Sequence, residues 1–169
     1  MKKKINLIIA SLALVFLGLS SSVSAGPISV GGGWTVFNFG DVGSSFSDEP
    51  YTFSLVGDGV LKVTDGFADG DSFDVYDSVL GLLFSTSAPT DDGSNTGNNY
   101  DLAFADAKWS SGSIALSAGS YSITGITTSS PYGGGDGALQ VVSAVPNPAT
   151  LALFGLGLAG LGWSRRKKV

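Results

Sequence analysis

Five aspartates lie close together in the middle of the sequence, at Asp65, Asp69, Asp71, Asp74 and Asp77. Carboxylate oxygens grouped on a loop are the ligands that Ca²⁺ prefers, and extracellular proteins often bind this ion. The spacing differs from an EF-hand loop, because no Asp or Asn stands two residues after Asp65 and no Glu closes the loop. Asp-Gly pairs also form turns readily, so turn formation is the simpler explanation. We keep Asp65, Asp69, Asp71 and Asp74 as candidate calcium ligands.

Two further groups could recognise a sugar. The segment 91–101 is polar and rich in amides, which suit sugar hydroxyls, although a disordered surface loop is the simpler interpretation. An exposed Trp109 could stack on a pyranose ring. Most of the aromatic set should instead be buried or half-buried; it comprises Trp34, Trp109, Tyr51, Tyr76, Tyr100, Tyr121 and Tyr132.

No histidine and no cysteine occur in the sequence. Their absence removes histidine general bases, Ser-His-Asp triads, thiol nucleophiles and the usual ligands of zinc, iron and copper. It also removes disulfides, so any folded domain of this chain must be stabilised by burial alone. A glycosidase would need two carboxylates across a cleft, and a domain of about 120 residues leaves little room for one. We therefore predict a protein that is not an enzyme.

Charge is distributed unevenly along the chain. Of nine Lys and Arg residues, only Lys62 and Lys108 lie within residues 26–144, whereas all fourteen acidic residues lie there. That segment therefore carries a net charge of −12. Such a charge argues against nucleic acid and anionic membranes as partners. It favours cations, solubility, or a matrix cross-linked by divalent metal.

Residues 1–25 have the three parts of a secretory signal peptide. Lysines occupy positions 2–4, an apolar run follows from Ile5 to Leu19, and Val23 and Ala25 are small residues of the kind that signal peptidase reads. We predict cleavage after Ala25. An uncleaved anchor is the alternative, but the apolar run is short for one.

Residues 145–169 contain a second apolar segment. Residues 149–164 carry no charge, and with their neighbours they are long enough to cross a thin membrane as a helix. The basic group that follows should stay on the cytoplasmic side, which places the preceding domain outside. That group is Arg165, Arg166, Lys167 and Lys168. A buried C-terminal helix is the alternative, but core helices seldom end in a basic cluster.

The order of proline motif, short apolar helix and basic end resembles the PEP-CTERM sorting signal of Gram-negative, biofilm-forming bacteria. Residues 151–162 and the Arg165-Arg166 pair are similar to that family's pattern. The resemblance implies recognition by exosortase, a membrane-embedded transpeptidase-like enzyme expected to cut near the prolines and to release or re-anchor the protein. Here the motif reads Pro146-Asn147-Pro148, where the family usually has Pro-Glu-Pro. If exosortase reads that glutamate, Asn147 slows processing.

Residues 26–144 consist of short alternating apolar runs broken by Gly, Asp, Asn and Ser, which predicts strands and no long helix. The apolar run from Val79 to Phe84 suits a fully buried strand or one bent at Gly81. Residues 117–120 suit the turn of a hairpin with Gly119 at positive φ. Eight or nine such strands predict an all-β fold, an antiparallel jelly-roll-like β-sandwich. The predicted strands are 34–39, 51–55, 60–64, 72–76, 79–84, 114–116, 121–124 and 138–142.

Two stretches extend the resemblance into this domain. Residues 64–76 are similar to a strand–loop–strand of other PEP-CTERM proteins, and residues 111–126 resemble hairpins of carbohydrate-binding jelly rolls. Together these features predict a signal peptide (1–25), a β-sandwich (26–144) and a sorting signal (145–169). They imply an exported protein, anchored in the inner membrane as a precursor and then placed at the cell surface or in the extracellular matrix. We expect a structural or adhesive role near exopolysaccharide in a biofilm; the alternatives are a carbohydrate-binding module, with or without calcium, and a glycoside-active enzyme.

Overall fold

A computed structural model describes residues 26–144 of the chain. The predicted signal peptide, the motif at Pro146–Pro148, the predicted helix at 149–164 and the basic end lie outside the described residues. Among residues 26–144, no helix combines the length and the apolar character that crossing a membrane requires.

The described residues form nine strands and one short helix, α1. The strands are β1 (Gly26–Pro27), β2 (Thr35–Phe39), β3 (Tyr51–Leu55), β4 (Gly59–Asp65), β5 (Ser72–Asp77), β6 (Gly81–Ser85), β7 (Ser111–Leu116), β8 (Gly119–Ser129) and β9 (Gly135–Ser143), and α1 spans Tyr100–Ala105.

These strands form two sheets. Sheet A has the order β1-β3-β8-β5-β6 and sheet B the order β2-β9-β4-β7. Every neighbouring pair is antiparallel except β1 and β3, which run parallel. The predicted antiparallel β-sandwich is therefore confirmed.

The core lies between the two sheets because strand residues alternate between faces. Phe73 and Val75 point inward from β5 and are fully buried, as the alternation predicts. The ring of Phe37 stacks on that of Phe46 with centroids 3.8 Å apart and meets the edge of Phe73 at 5.4 Å. The core cluster draws on both sheets, with Ile123 from β8 of sheet A and Leu139 from β9 of sheet B fully buried.

Two local predictions are wrong. The run Val79–Phe84 is not a buried strand, because β6 is the outer strand of sheet A and Val79, Leu80 and Leu82 are exposed. Residues 117–120 do not close a hairpin, since β7 belongs to sheet B and β8 to sheet A. The chain crosses between sheets there, and Gly119 does not have positive φ.

The sandwich has two ends of different character. Strand β4 runs from Gly59, which pairs with Leu116 and Ser143, to Asp65, which pairs with Gly137. We call the end near Gly59 the tail end; it carries the turn 56–58, the connection 117–118 and the last described residue, Ala144. The β5–β6 turn 78–80 points the same way but stops level with Ser122. We call the opposite end the loop end; it carries the segments 66–71, 86–99 and 130–134. Helix α1 packs against β4 and β7 of sheet B.

Candidate carboxylate site at the loop end

Three of the five central aspartates are buried together at the loop end. Asp65 is the last residue of β4, and Asp69 and Asp71 lie in the segment that crosses from sheet B to sheet A. Their side chains are 0%, 0% and 3% exposed. We call these three residues the acid cluster. Burying three carboxyl groups side by side is costly unless they are protonated or neutralised by a cation.

The backbone of this segment holds Asp65 in place. Its Oδ1 accepts a hydrogen bond from the Gly66 N–H at 2.7 Å, and its Oδ2 accepts one from the Asp71 N–H at 3.3 Å. Asp69 is held from another segment, since its Oδ2 accepts from the Thr90 hydroxyl at 3.0 Å and from the Asp92 N–H at 3.1 Å. The cluster is therefore assembled by contacts between loops that are distant in sequence.

Burial and mutual repulsion raise the affinity of the cluster for protons. Burial, reinforced by the negative charge of Asp71, raises the pKa of Asp65 to about 8. Burial also raises the pKa of Asp71, and the charge of Asp91 adds to that shift. At neutral pH the Asp65 carboxyl is therefore mostly protonated when no cation is bound.

Two buried oxygens of the cluster have no hydrogen-bond donor within the described residues, namely Asp69 Oδ1 and Asp71 Oδ1. Unpartnered carboxylate oxygens suit a hard cation such as Ca²⁺, which binds oxygen alone. However, no group of three or more acidic side chains within residues 26–144 is arranged so that it could hold a metal ion. The donor chemistry therefore fits calcium, whereas backbone or water oxygens would have to supply further ligands.

The structure does not place the fourth candidate ligand, Asp74, with the others. It lies between Phe73 and Val75 on β5, so its side chain points to the outer face of sheet A, where it accepts hydrogen bonds from Ser85 and Tyr76. Asp77 is buried but fully partnered at the other end of β5. Although burial raises its pKa, backbone N–H groups, that of Ser122 foremost, lower it overall. Asp77 therefore fixes the β5–β6 turn.

The loop that carries the cluster is tightly braced. Phe67 has φ of +55°, which is unfavourable for an aromatic residue, and hydrogen bonds hold it there. Its N–H donates to the Gly97 carbonyl, and its carbonyl accepts from the Thr96 N–H and from Trp109 Nε1. Gly70 has φ of +126°, and a Cβ there would overlap Pro131 of the β8–β9 segment. A larger residue at position 70 would therefore displace that segment.

Trp109 does not form an exposed sugar platform. It is 4% exposed, and its indole N–H donates to the Phe67 carbonyl at 3.1 Å, so the hypothesis that it stacks on a pyranose is wrong. The aromatic residues exposed at the loop end are Tyr132, at 55%, and Phe67, at 38%. The Tyr132 hydroxyl donates to Asp91 Oδ1 at 2.8 Å, which fixes the direction of the ring.

The polar segment 91–101 is ordered by specific hydrogen bonds, so the interpretation as a disordered loop is wrong. The Asp69 N–H donates to the Ser94 carbonyl, and Asn99 caps α1 by accepting from the Leu102 N–H at 3.1 Å. Lys108 Nζ binds Asp92 Oδ2 at 2.8 Å on the surface. The loop end thus presents exposed acids, amides, one lysine and two aromatic rings above the acid cluster.

Comparison with known protein families identifies the C-terminal segment. Residues 144–167 match the model of the PEP-CTERM protein-sorting motif. The predicted resemblance is therefore confirmed over this segment, and the chain carries a PEP-CTERM sorting motif. The motif implies an exported protein whose precursor is membrane-anchored before exosortase processes it. No curated protein sequence matches the chain.

Several solved structures resemble part of this chain at low identity and low TM-score. The pre-peptidase C-terminal domain of a collagenase from Bacillus anthracis is 13% identical, with a TM-score of 0.37, and the match covers 69% of this chain and 93% of that one. A β-1,3-glucan-binding CBM6 from Bacillus halodurans is 16% identical, with a TM-score of 0.35, covering 65% and 84%. A family 43 arabinoxylan arabinofuranohydrolase from Bacillus subtilis is 13% identical, with a TM-score of 0.38, covering 63% of this chain and 20% of that one. At these values none of them bears on a ligand or reaction of this chain.

Proposed function

We propose that this protein is a non-catalytic structural or adhesive component of the cell surface or extracellular polysaccharide matrix, delivered there by exosortase. The observation that carries the proposal is the position of the sorting motif, which begins at residue 144, directly after β9 ends at Ser143. The motif therefore follows a complete sandwich domain. Its net charge of −12 suits a hydrated matrix in which divalent cations link acidic groups.

The acid cluster supports a structural role more than catalysis. A glycosidase needs two carboxyl groups that reach a bound sugar from opposite sides. Asp65, Asp69 and Asp71 are instead closed off from solvent and partly satisfied by backbone N–H groups. With histidine and cysteine absent from the whole sequence, an enzyme would have to rely on Asp, Glu49, Lys, Tyr or Ser alone. We therefore propose that the cluster stabilises the loop end, with Ca²⁺ as its counter-ion outside the cell.

The sorting route is tested by deleting exosortase in the host. We expect the protein to accumulate in the inner membrane as a full-length precursor and to disappear from the surface and matrix fractions. An unchanged distribution of the protein between these fractions would contradict the proposed route. A secreted protein of the same host that lacks a sorting motif provides the control for general export.

Carbohydrate binding at the loop end is the second candidate function, and a specific observation favours it. Tyr132 is exposed, and its hydroxyl is fixed by Asp91, while the adjacent residue Asp92 forms a surface ion pair with Lys108. An exposed aromatic ring beside fixed polar groups is the combination that sugar recognition uses.

Binding of residues 26–144 to the host's purified exopolysaccharide, with Ca²⁺ and again with EDTA, tests this candidate. We expect Tyr132→Ala to weaken saturable binding roughly two- to tenfold, because an aromatic stacking contact contributes about 0.5–1.5 kcal/mol. Tyr76→Ala, on the outer face of sheet A, is the matched control and should bind normally. Absence of saturable binding in both buffers would remove this candidate and leave the structural role.

A further inference from the structure

Helix α1 covers only part of the outer face of sheet B. Thr64 alternates with Val63 of the core and so points away from it, yet Thr64 is fully buried, in keeping with the packing of α1 on β4. Two residues earlier on the same strand, Lys62 points to the same side and is only half-buried. The outer face of sheet B is therefore open to solvent beside the helix.

The strand register places four side chains in one row across this open face. Lys62 pairs with Gln140 of β9 on one side and with Ser113 of β7 on the other. Trp34 directly precedes β2 and stands level with Gln140 when the β2–β9 register is continued by one residue. Three interstrand spacings give the row a length of about 14 Å, which is longer than a single sugar ring.

Two aromatic rings stand beside this row. The ring centroid of Phe104 on α1 lies 5.7 Å from that of Trp34 and 5.1 Å from the Lys62 ammonium, so Phe104 lies between them. The Trp34 indole N–H donates to Asp101 Oδ1 at 2.9 Å, which fixes the indole ring against the helix. Both rings are only half-buried. Fixed aromatic rings beside amide, hydroxyl and ammonium groups form the combination that sugar recognition uses.

The Lys62 ammonium adds a preference for negative charge. The one ion pair within residues 26–144 joins Lys108 to Asp92 at the loop end, whereas Lys62 contacts the face of the Phe104 ring. Lys62 thus has no carboxylate partner in a segment that contains fourteen acidic residues. A half-buried ammonium without a counter-ion favours an anionic group on the ligand.

We propose that this row binds an acidic polysaccharide, with the carboxylate of a uronic acid unit on Lys62 and the C–H groups of the sugar rings against Phe104 and Trp34. The amide of Gln140 and the hydroxyl of Ser113 then bind sugar hydroxyls. This inference rests on the polysaccharide setting of the proposed function and names the class of polymer. Because the row lies on the outer face of sheet B, it does not depend on the acid cluster or on the exposed aromatic residues of the loop end.

The test measures binding of the full-length chain, purified in mild detergent from a host without exosortase, to the host's purified exopolysaccharide. The native polymer is compared with the same polymer after its carboxylates have been reduced to alcohols. All titrations contain EDTA, so that divalent cations cannot bridge the acidic domain to the polymer. Lys62→Met removes the ammonium and keeps most of the side-chain stem. Lys108→Met makes the same change of charge at the loop end and is the matched control.

We expect the wild type to bind the native polymer saturably and about three- to fivefold more tightly than the reduced polymer, the factor that a solvent-accessible ion pair contributes. Lys62→Met should bind both polymers equally, whereas Lys62→Arg and Lys108→Met should keep the preference of the wild type. Changing both partners in this way isolates the contact between Lys62 and the carboxylate. A Lys62→Met variant that keeps the preference would overturn the inference, and so would the absence of saturable binding in EDTA.

Failure of the proposed function would appear in a different measurement, the amount of the protein in the matrix fraction of the normal host. A protein that reaches the matrix but does not bind the purified polymer would overturn this inference alone. A protein that is absent from the surface and matrix fractions would contradict the proposed function itself.

Discussion

The pH dependence of stability should reveal the cost of the acid cluster. The pKa of Asp65 is about 8 in the folded protein, against 3.8 for the unperturbed side chain. The unfolded state therefore binds fewer protons than the folded state between these values, and the free energy of unfolding falls as pH rises. From pH 5 to pH 8 in EDTA, the loss from this one group is roughly 3 to 4 kcal/mol. Below about pH 4 the Asp65 carboxyl is protonated in both states, so it no longer lowers the free energy of unfolding.

The substitution Asp65→Asn should remove most of this dependence. Asparagine keeps one oxygen that can accept from the Gly66 N–H but loses the longer bond from the Asp71 N–H, at a cost of about 1 kcal/mol. We expect the variant to be slightly less stable than the wild type at pH 4 and more stable by several kcal/mol at pH 8. The two stability curves should cross near pH 5.

Urea unfolding of residues 26–144, followed by tryptophan fluorescence in EDTA at several pH values, measures these differences. Asp58→Asn is the matched control, because Asp58 is an exposed carboxyl at the opposite end of the sandwich. Its curve should remain parallel to that of the wild type. If Asp65→Asn keeps the full fall in stability between pH 5 and pH 8, the reasoning about the cluster is wrong.

Three other predictions concern the cation, the core and the sorting signal. Calcium should raise the melting temperature of residues 26–144 above its value in EDTA at pH 7.5, and Asp71→Asn should abolish that difference. Equal melting temperatures of the wild type in calcium and in EDTA would show that the acid cluster does not bind Ca²⁺. Gly125→Ala should destabilise the domain by at least about 2 kcal/mol in urea unfolding, because a Cβ there overlaps the Phe46 ring. Gly57→Ala, with open space around it and no positive φ, controls for the loss of a glycine. Asn147→Glu should raise the processed fraction of the protein on immunoblots, and an unchanged ratio of precursor to product would show that exosortase does not read this residue.

Alternation of side chains predicted most strands because each sheet has one buried face. The strand 51–55 has the predicted bounds, and Phe73 and Val75 point inward as the period of two requires. The same alternation places Asp74 outward, so the sequence already contained the reason to separate it from the calcium candidates. The calcium hypothesis considered only how closely the aspartates follow one another in sequence and did not take this alternation into account.

The errors arise where position in the sheet decides burial. Residues 79–84 are as apolar as a central strand, but β6 is the last strand in the order of sheet A and therefore an edge strand. A local sequence pattern does not indicate the order of strands in a sheet. Helix α1 spans only Tyr100–Ala105, which is too short for a helical period to show. Its one local signal is Asn99, a residue type that favours N-caps. The sequence could not separate exposed from buried aromatic residues, and Trp109, considered as an exposed sugar platform, is buried against the Phe67 backbone.

The two ends of the sandwich connect the structure to the sorting step. Exosortase is expected to cut near Pro146 and Pro148, a few residues after Ala144 leaves the tail end beside Asp58. Cleavage there would separate the sandwich from its anchor without cutting any strand. The loop end would be unaffected, because its acid cluster is held by hydrogen bonds within residues 26–144. Any function of the acid cluster should therefore be the same in the precursor and in the processed protein.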